Sequence, residues 1–373
     1  MKTLLAATAG LLLGLLPAAP IQAKPVTDCP LRDAPFSTRS PIVDILLSPA
    51  ARGALEAGMP DVFTALPPRF FSTQAPTFAS ILTLDALARM KGLPADRMTR
   101  LDATLRALPV TPADHVARCA RYDDDRPVLP QPPPKGKPRL LIFEKITGFR
   151  DGPSVDAARA AFQAMAQRKG WAVAVSDKGG AMTPSMLRRF DAVIWNNVSG
   201  DVLTLSQRDA FRAYVEEGGG FVAVHGSAGD PSTFWDWYVD NLVGARFAGH
   251  PMTPQFQDAT VKVEGRGHPI AAGLPGQWTM NDEWYSFTAN PRASGATIIA
   301  TLDERSYAPG GLAMGDHPIA WTRCVGKGRA FYSAIGHRPE TYADPHHVAM
   351  LEQAVAWAAA RRVPCTPVTP PTG

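Results

Sequence analysis

The sequence predicts an α/β protein whose main body is a doubly wound sheet, preceded by a small helical lobe. Three observations lead there. From residue 139 onward, short runs of β-branched and aromatic residues alternate with amphipathic stretches of helical period, the pattern of βαβ units. Within that part, Gly218-Gly219-Gly220-Phe221-Val222-Ala223-Val224-His225-Gly226-Ser227-Ala228-Gly229-Asp230 ends a helix, runs through a buried strand and breaks into small residues. Before residue 138 the chain is proline-rich and has no strand-like run.

The chain opens with Lys2, a short apolar core and the small-residue ending Ile21-Gln22-Ala23, so residues 1–23 are expected to be a secretory signal peptide. Periplasmic or extracellular export follows from that expectation. No later stretch approaches a spanning length, so no membrane span is expected. Residues 24–126 read as the helical lobe, 127–138 as a stiff proline linker, 139–362 as the α/β domain and 363–373 as a tail. The formal charge of +4 is too small and too scattered for a nucleic-acid partner. Four cysteines in an oxidising compartment allow three pairings. Cys29 with Cys119 and Cys324 with Cys365 are favoured, because each pair closes a loop within one unit.

In the lobe, residues 79–91 and 96–108 have helical spacing, broken between them by Gly92 and Pro94, and Pro112 opens a third helix towards Cys119. Strands are expected at 139–143, 171–175, 192–195 and 221–224. The helices between them are expected at 154–169 with an N-cap serine, 184–190, and 204–217 with a Thr204/Gln207 capping box. Later strands are expected at 259–264, 279–287, 297–302, 319–324 and 329–335, the last two as a hairpin about Gly326-Lys327-Gly328. A helix over 346–360 closes the domain.

Several motifs resemble the trehalose-utilisation (ThuA-like) family. They are Gly148-Phe149-Arg150, residues 218–230, Trp237-Tyr238, Leu242-Val243-Gly244-Ala245, Gly249-His250-Pro251, Gly267-His268-Pro269-Ile270, Asp282-Glu283-Trp284-Tyr285, Asp316-His317-Pro318-Ile319-Ala320-Trp321 and Gly336-His337. Their number, order and spacing carry the resemblance over 139–360; it does not reach the lobe. It implies a flavodoxin-like, mostly parallel sheet similar to class I glutamine amidotransferases, with extra β-strands. It also implies sugar metabolism, with trehalose, related glycosides and their keto derivatives as the substrate class. Amidotransferase chemistry is not expected, because the turn after the central strand carries His225-Gly226-Ser227 where those relatives place a cysteine.

His225, at the carboxyl end of the central strand, is the first candidate for acid–base work, since imidazole titrates near neutrality. Asp282 and Glu283 point to opposite faces if they lie in a strand, so only one can join His225; Glu283 is preferred. His337, after a strand and Gly336, is the third catalytic candidate. Substrate-binding candidates are Lys145 and Phe149 after the first strand, then Asp230, Trp237, Tyr238, His250, Asp282, Trp284, Tyr285 and His317. Sugars call for a charged acceptor beside flat apolar rings. Plainer roles compete with several of these: Asp230 as a helix cap, the tryptophans as core, Lys145 as a solvated charge, and His250, His268 and His317 as turn residues before proline. No cofactor is expected; a divalent metal at His225, His250 and His337 is the alternative. The expected function is acid–base chemistry on a small sugar substrate. A non-catalytic sugar-binding protein is one alternative. A serine hydrolase using Ser227, whose surroundings lack the first glycine of Gly-x-Ser-x-Gly, is another.

Overall fold

The structure is a computed structural model and describes residues 26–128, 138–228, 235–361 and Cys365. The expected signal peptide, most of the linker and tail, and Asp230 lie outside the described residues. Four parallel strands follow the linker: β1 (Arg139–Phe143), β2 (Ala172–Ser176), β3 (Ala192–Asn196) and β4 (Gly220–Val224). All but the edge strand β2 are almost wholly buried, which is why they read as unbroken apolar runs. Helix Gly152–Lys169 joins β1 to β2, and helix Leu205–Glu216 joins β3 to β4. The order β2-β1-β3-β4 sends the chain first one way from β1 and then the other. Right-handed crossovers therefore place the two helices on opposite faces, with a ligand crevice at the carboxyl ends.

Local chemistry explains the boundaries. Thr204 and Gln207 form the expected capping box, each side chain accepting from the other's backbone N–H. The expected N-cap serine is instead inside its helix. Asp151 caps it, accepting from Ser154 N at 3.3 Å, and Gly152-Pro153 form the first turn. The α-helix expected from 79 begins at Leu84, after a single 3₁₀ turn over Phe78–Ser80, because Thr83 caps there by accepting from Ala86 N.

The remaining strands pair antiparallel with one another. They are β5 (Phe247–Gly249), β6 (Phe256–Val263), β7 (Gln277–Glu283), β8 (Ser286–Phe287), β9 (Thr297–Asp303), β10 (His317–Val325) and β11 (Gly328–Ser333). The stretch expected as one strand over 279–287 is divided after Glu283: β8 leaves the main sheet and pairs with β5. The nine-stranded order is β2-β1-β3-β4-β11-β10-β9-β6-β7. β10 and β11 form the expected hairpin, and it inserts so that β11 runs parallel to β4. Helix Pro345–Ala358 packs back against β4 and β11. The result is the α/β class expected, a flavodoxin-like wound half with extra strands.

The lobe contains helices Ile42–Leu47, Pro49–Gly58, Val62–Ala65, Leu84–Lys91, Ala95–Arg106 and Pro112–Cys119. The first three were not expected: the first and third are short, and the second is bounded by Pro49 and Gly58, residues that read as breakers in the sequence. Their core is Phe36, Ile42, Ile45, Leu55, Leu84, Leu101 and Leu105. Cys29–Cys119 and Cys324–Cys365 are both bonded. The lobe docks beside the crevice through Thr77 N, which donates to Thr147 O at 3.0 Å. Asp123, from the segment leaving the lobe, pairs with Lys145 and accepts from Gly179 N at 2.7 Å.

Two buried histidines make the fold acid-sensitive. Burial lowers the pKa of His347 to about 4, and burial with the nearby Arg329 charge does the same to His268. His347 Nδ1 donates to Thr341 O at 2.9 Å, which makes Nδ1 the protonated nitrogen, and Nε2 lies 3.4 Å from Ser333 Oγ. Between pH 6.5 and 4 the unfolded chain binds these protons and the folded chain does not, so stability falls as pH falls. At pH 5 each group costs roughly 2 kcal/mol relative to pH 7. Thermal melts at pH 7 and pH 5 should show this loss, and His347→Asn should lose less between the two values than the parent. An identical drop in both would refute the assignment.

Candidate active site

The centre of the site is the turn after β4. His225 has φ +38°, a conformation a side chain rarely adopts. Its surroundings hold it there: Tyr332 Oη donates to His225 O at 2.8 Å, and Gly226 N donates to Asn197 Oδ1 at 3.1 Å. The ring is fixed through Nδ1, 2.8 Å from Ala334 O. A carbonyl only accepts, so the proton sits on Nδ1 and Nε2 points into the crevice. Ala334 follows β11, the neighbour of β4, and the chain then turns through Gly336 at φ +139°. A β-carbon there would run into the Tyr342 hydroxyl and lie 3.2 Å from His225 Cβ.

Two further groups meet His225 Nε2. His337 Nδ1 lies 3.2 Å away and Glu283 Oε2 3.5 Å away, while His337 Nδ1 and Glu283 Oε2 are 3.0 Å apart. Glu283 is 2 % exposed. Its other oxygen, Oε1, is held by Gln255 Nε2 and by His250 Nδ1 at 3.2 Å. Burial pushes the Glu283 carboxyl up, but hydrogen bonds and charge from His225 and His337 outweigh it and hold the group well below the usual carboxylate range. Burial lowers the His337 pKa, and the Glu283 hydrogen bond and charge more than restore it, leaving a net rise.

Aromatic rings surround this cluster. Tyr285 lies against His225 with centroids 4.2 Å apart, and against His250 at 6.0 Å. His337 has half-exposed Phe149 at 6.0 Å and half-exposed Phe256 at 5.2 Å. Phe149 in turn touches Phe78 of the lobe at 5.3 Å, so the lobe supports one rim of the site.

The structure thus brings together His225, Glu283, His337, His250, Tyr285 and Phe149. It separates the other candidates from them. Asp282 faces the opposite way, as alternation requires, and accepts from Gly336 N at 2.6 Å and Arg338 N at 2.9 Å. It shapes the loop that carries His337. Burial raises its pKa. Lys145 is committed to Asp123. Trp284 is core, its indole N–H donating to Gln257 O at 2.8 Å. Tyr238 is also buried; it stacks on Trp195 and donates to Ser227 O. Trp237 lies against Trp235 at 5.3 Å in a helix over Trp237–Val243. His317 is fully enclosed, with Nδ1 at Glu304 Oε1 and Nε2 at Tyr285 O, each 2.8 Å. It steadies the backbone under Tyr285. His268 caps a turn by accepting from Ile270 N, the plain role expected of it.

Gln255, Phe256, Asn197 and Tyr332 were not legible as site residues. Phe256 pairs with Glu283 in the β6–β7 register, so the register of that hairpin was the one signal that could have found it.

Ser227 is structural. It is 3 % exposed, its Oγ donating to Trp195 O and accepting from Val198 N, both at 3.0 Å. Ser227→Ala is therefore expected to cost about 1–3 kcal/mol of stability while leaving turnover per folded molecule near that of the parent. Denaturant melts beside active-site-normalised rates check this; abolished turnover in folded protein would restore the serine-hydrolase alternative.

A family model for trehalose utilisation, ThuA, matches residues 139–358. The chain belongs to the ThuA family. Among solved structures, a ThuA-like protein from Bacteroides uniformis is 26 % identical with a TM-score of 0.52, covering 60 % of this chain and 92 % of that one. Another, from Parabacteroides merdae, is 16 % identical with a TM-score of 0.46, covering 60 % and 90 %. No curated protein matches the chain. Family membership implies a role in trehalose utilisation and covers the domain with the His225 cluster; the lobe lies outside the match. Among the described residues no helix is long and apolar enough to cross a membrane.

Proposed function

We propose that this ThuA-family protein is an exported enzyme that performs acid–base chemistry on a trehalose-like glycoside or a keto-sugar. His225, Glu283 and His337 form the reacting cluster, with His250 at its edge. The observation that carries this reading is the convergence of three titratable side chains from separate parts of the chain on one strained turn. A binding site for sugar uses rings, amides and a carboxylate whose oxygens are free to accept from hydroxyls; a buried carboxylate whose oxygens are committed to imidazoles and an amide is instead an arrangement that tunes proton affinity. Phe149, Phe256 and Tyr285 offer flat apolar faces for the C–H side of a pyranose. Export is supported by the apolar leader and by two disulfides, which persist in oxidising compartments.

The test is a panel of trehalose, other glucosides and their 3-keto derivatives, incubated with purified protein and followed by mass spectrometry. Consumption of one class, lost in His225→Ala, supports the reading. Calorimetric binding of a sugar with no product from any member would replace the enzyme with the binding protein.

A further inference from the structure

We propose that His225 Nε2, His337 Nδ1 and Glu283 Oε2 are the three protein ligands of a divalent first-row transition-metal ion. The inference rests on reading this cluster as the reactive centre and names what completes it.

Three observations carry it. The first is geometric. The three atoms are 3.2, 3.0 and 3.5 Å apart. One point just off their plane lies about 2.1 Å from all of them, the bond length that zinc makes to imidazole nitrogen and carboxylate oxygen. The second is a shortage of protons. His225 carries its proton on Nδ1, towards Ala334 O, and an ionised carboxylate has none. Within the cluster only His337 Nδ1 can then carry a proton, and it faces two acceptors, His225 Nε2 and Glu283 Oε2. His225 Nε2 and Glu283 Oε2 are left with lone pairs turned to one another in a site 4 % and 2 % exposed. A cation at the common point satisfies all three; the competing solution is a second proton on His225.

The third is the support around the donors. A metal-binding imidazole usually gives its other N–H to a carbonyl or carboxylate, which fixes the ring, and His225 does so. Glu283 has its second oxygen occupied by Gln255 and His250, leaving Oε2 for the ion. His337 is the most exposed of the three, between Phe149 and Phe256. That opening leaves coordination positions for water or a sugar oxygen, as in catalytic rather than structural sites. Two nitrogens and one carboxylate oxygen suit zinc, manganese or iron(II) better than calcium or magnesium. Bound there, the ion would acidify a coordinated water or polarise a sugar hydroxyl or carbonyl. His250, the third ligand of the sequence-based alternative, bonds the far side of Glu283 and is a positioning residue.

The experiment uses the full mature chain, free of affinity tags, stripped with EDTA and dialysed. Zn²⁺ and Mn²⁺ are titrated separately; bound metal is measured by mass spectrometry after desalting, and melting temperature by fluorimetry. About one ion per chain and a melting temperature that rises with ion concentration are expected. Glu283→Gln and His337→Ala should each weaken binding by roughly 100-fold or more, whereas His346→Ala, remote from the cluster, should not. Co²⁺ loaded into the unaltered chain should give visible d–d absorption, a readout that needs no variant. Absence of retained ion and of any Co²⁺ spectrum overturns the proposal, as does unchanged binding in folded Glu283→Gln. Apoprotein that turns over sugar at the full rate also overturns it and leaves the acid–base reading in place. Metal-loaded protein that acts on no sugar leaves the metal site in place and overturns the carbohydrate reading instead.

Discussion

Glu283→Gln is expected to lower turnover of the sugar substrate by roughly 10²- to 10⁴-fold, the contribution of a positioned acid–base group. The change keeps the side chain's size and one carbonyl acceptor but removes the charge that both His225 and His337 face. It also places an amide N–H where Oε1 already accepts from Gln255 or where Oε2 meets two imidazoles. Either orientation breaks part of the network. The kinetic loss should therefore exceed anything explained by stability, and a rate measured per folded molecule separates the two. Parent-like turnover in folded Glu283→Gln would end the case for this cluster as the reacting centre, whatever its metal content.

Gly336→Ala is expected to damage both the stability of the domain and its activity. A β-carbon there meets the Tyr342 hydroxyl and comes within 3.2 Å of His225 Cβ, and φ +139° is a backbone region that side chains avoid. Tyr342 cannot retreat freely, since it is buried and bonded to Asn197 Nδ2 at 3.3 Å. Strain and displacement together should cost about 3 kcal/mol or more. For a domain of this size that is a fall of roughly 6–12 °C in melting temperature. His225 and His337 should lose their relative positions, so activity should fall as well. Gly295 provides the comparison: its φ is +81° but nothing lies within 4 Å of a β-carbon, so Gly295→Ala should cost only about 1–2 kcal/mol and spare activity. Equal effects at the two positions would show that steric conflict at Gly336 is not what matters.

The site is tuned by its neighbours as much as by its own members. His317 bonds Tyr285 O, Tyr285 lies on His225, and Asp282 holds the Gly336–Arg338 loop by two backbone N–H groups. Asp282 and Tyr285 were natural candidates for substrate contact because they stand beside Glu283 in sequence. Alternation along β7 sends Asp282 inward to the loop and Glu283 to the crevice, and Trp284 is then committed to the core. Adjacency in sequence identified the right segment; the direction of each side chain separated reacting groups from their supports.

The sequence by itself determined the parts of this protein that depend on local chemistry. Strands β1, β3 and β4 are legible because burial on both faces demands continuous apolar runs. The Thr204–Gln207 box and the glycine turn of the last hairpin follow from hydrogen-bonding and backbone preferences within a few residues. His225 at the end of β4 could be singled out on the same basis. Only the tertiary structure decided what meets it. β7 lies at the far edge of the sheet, four places from β11, yet its last residue touches both His225 and His337. The antiparallel half must curl to bring that edge back over the carboxyl ends of β4 and β11. It also carries Phe256, paired opposite Glu283, to the same rim. Sheet curvature is the sum of small twists over many strand pairs, and no single stretch of sequence encodes it.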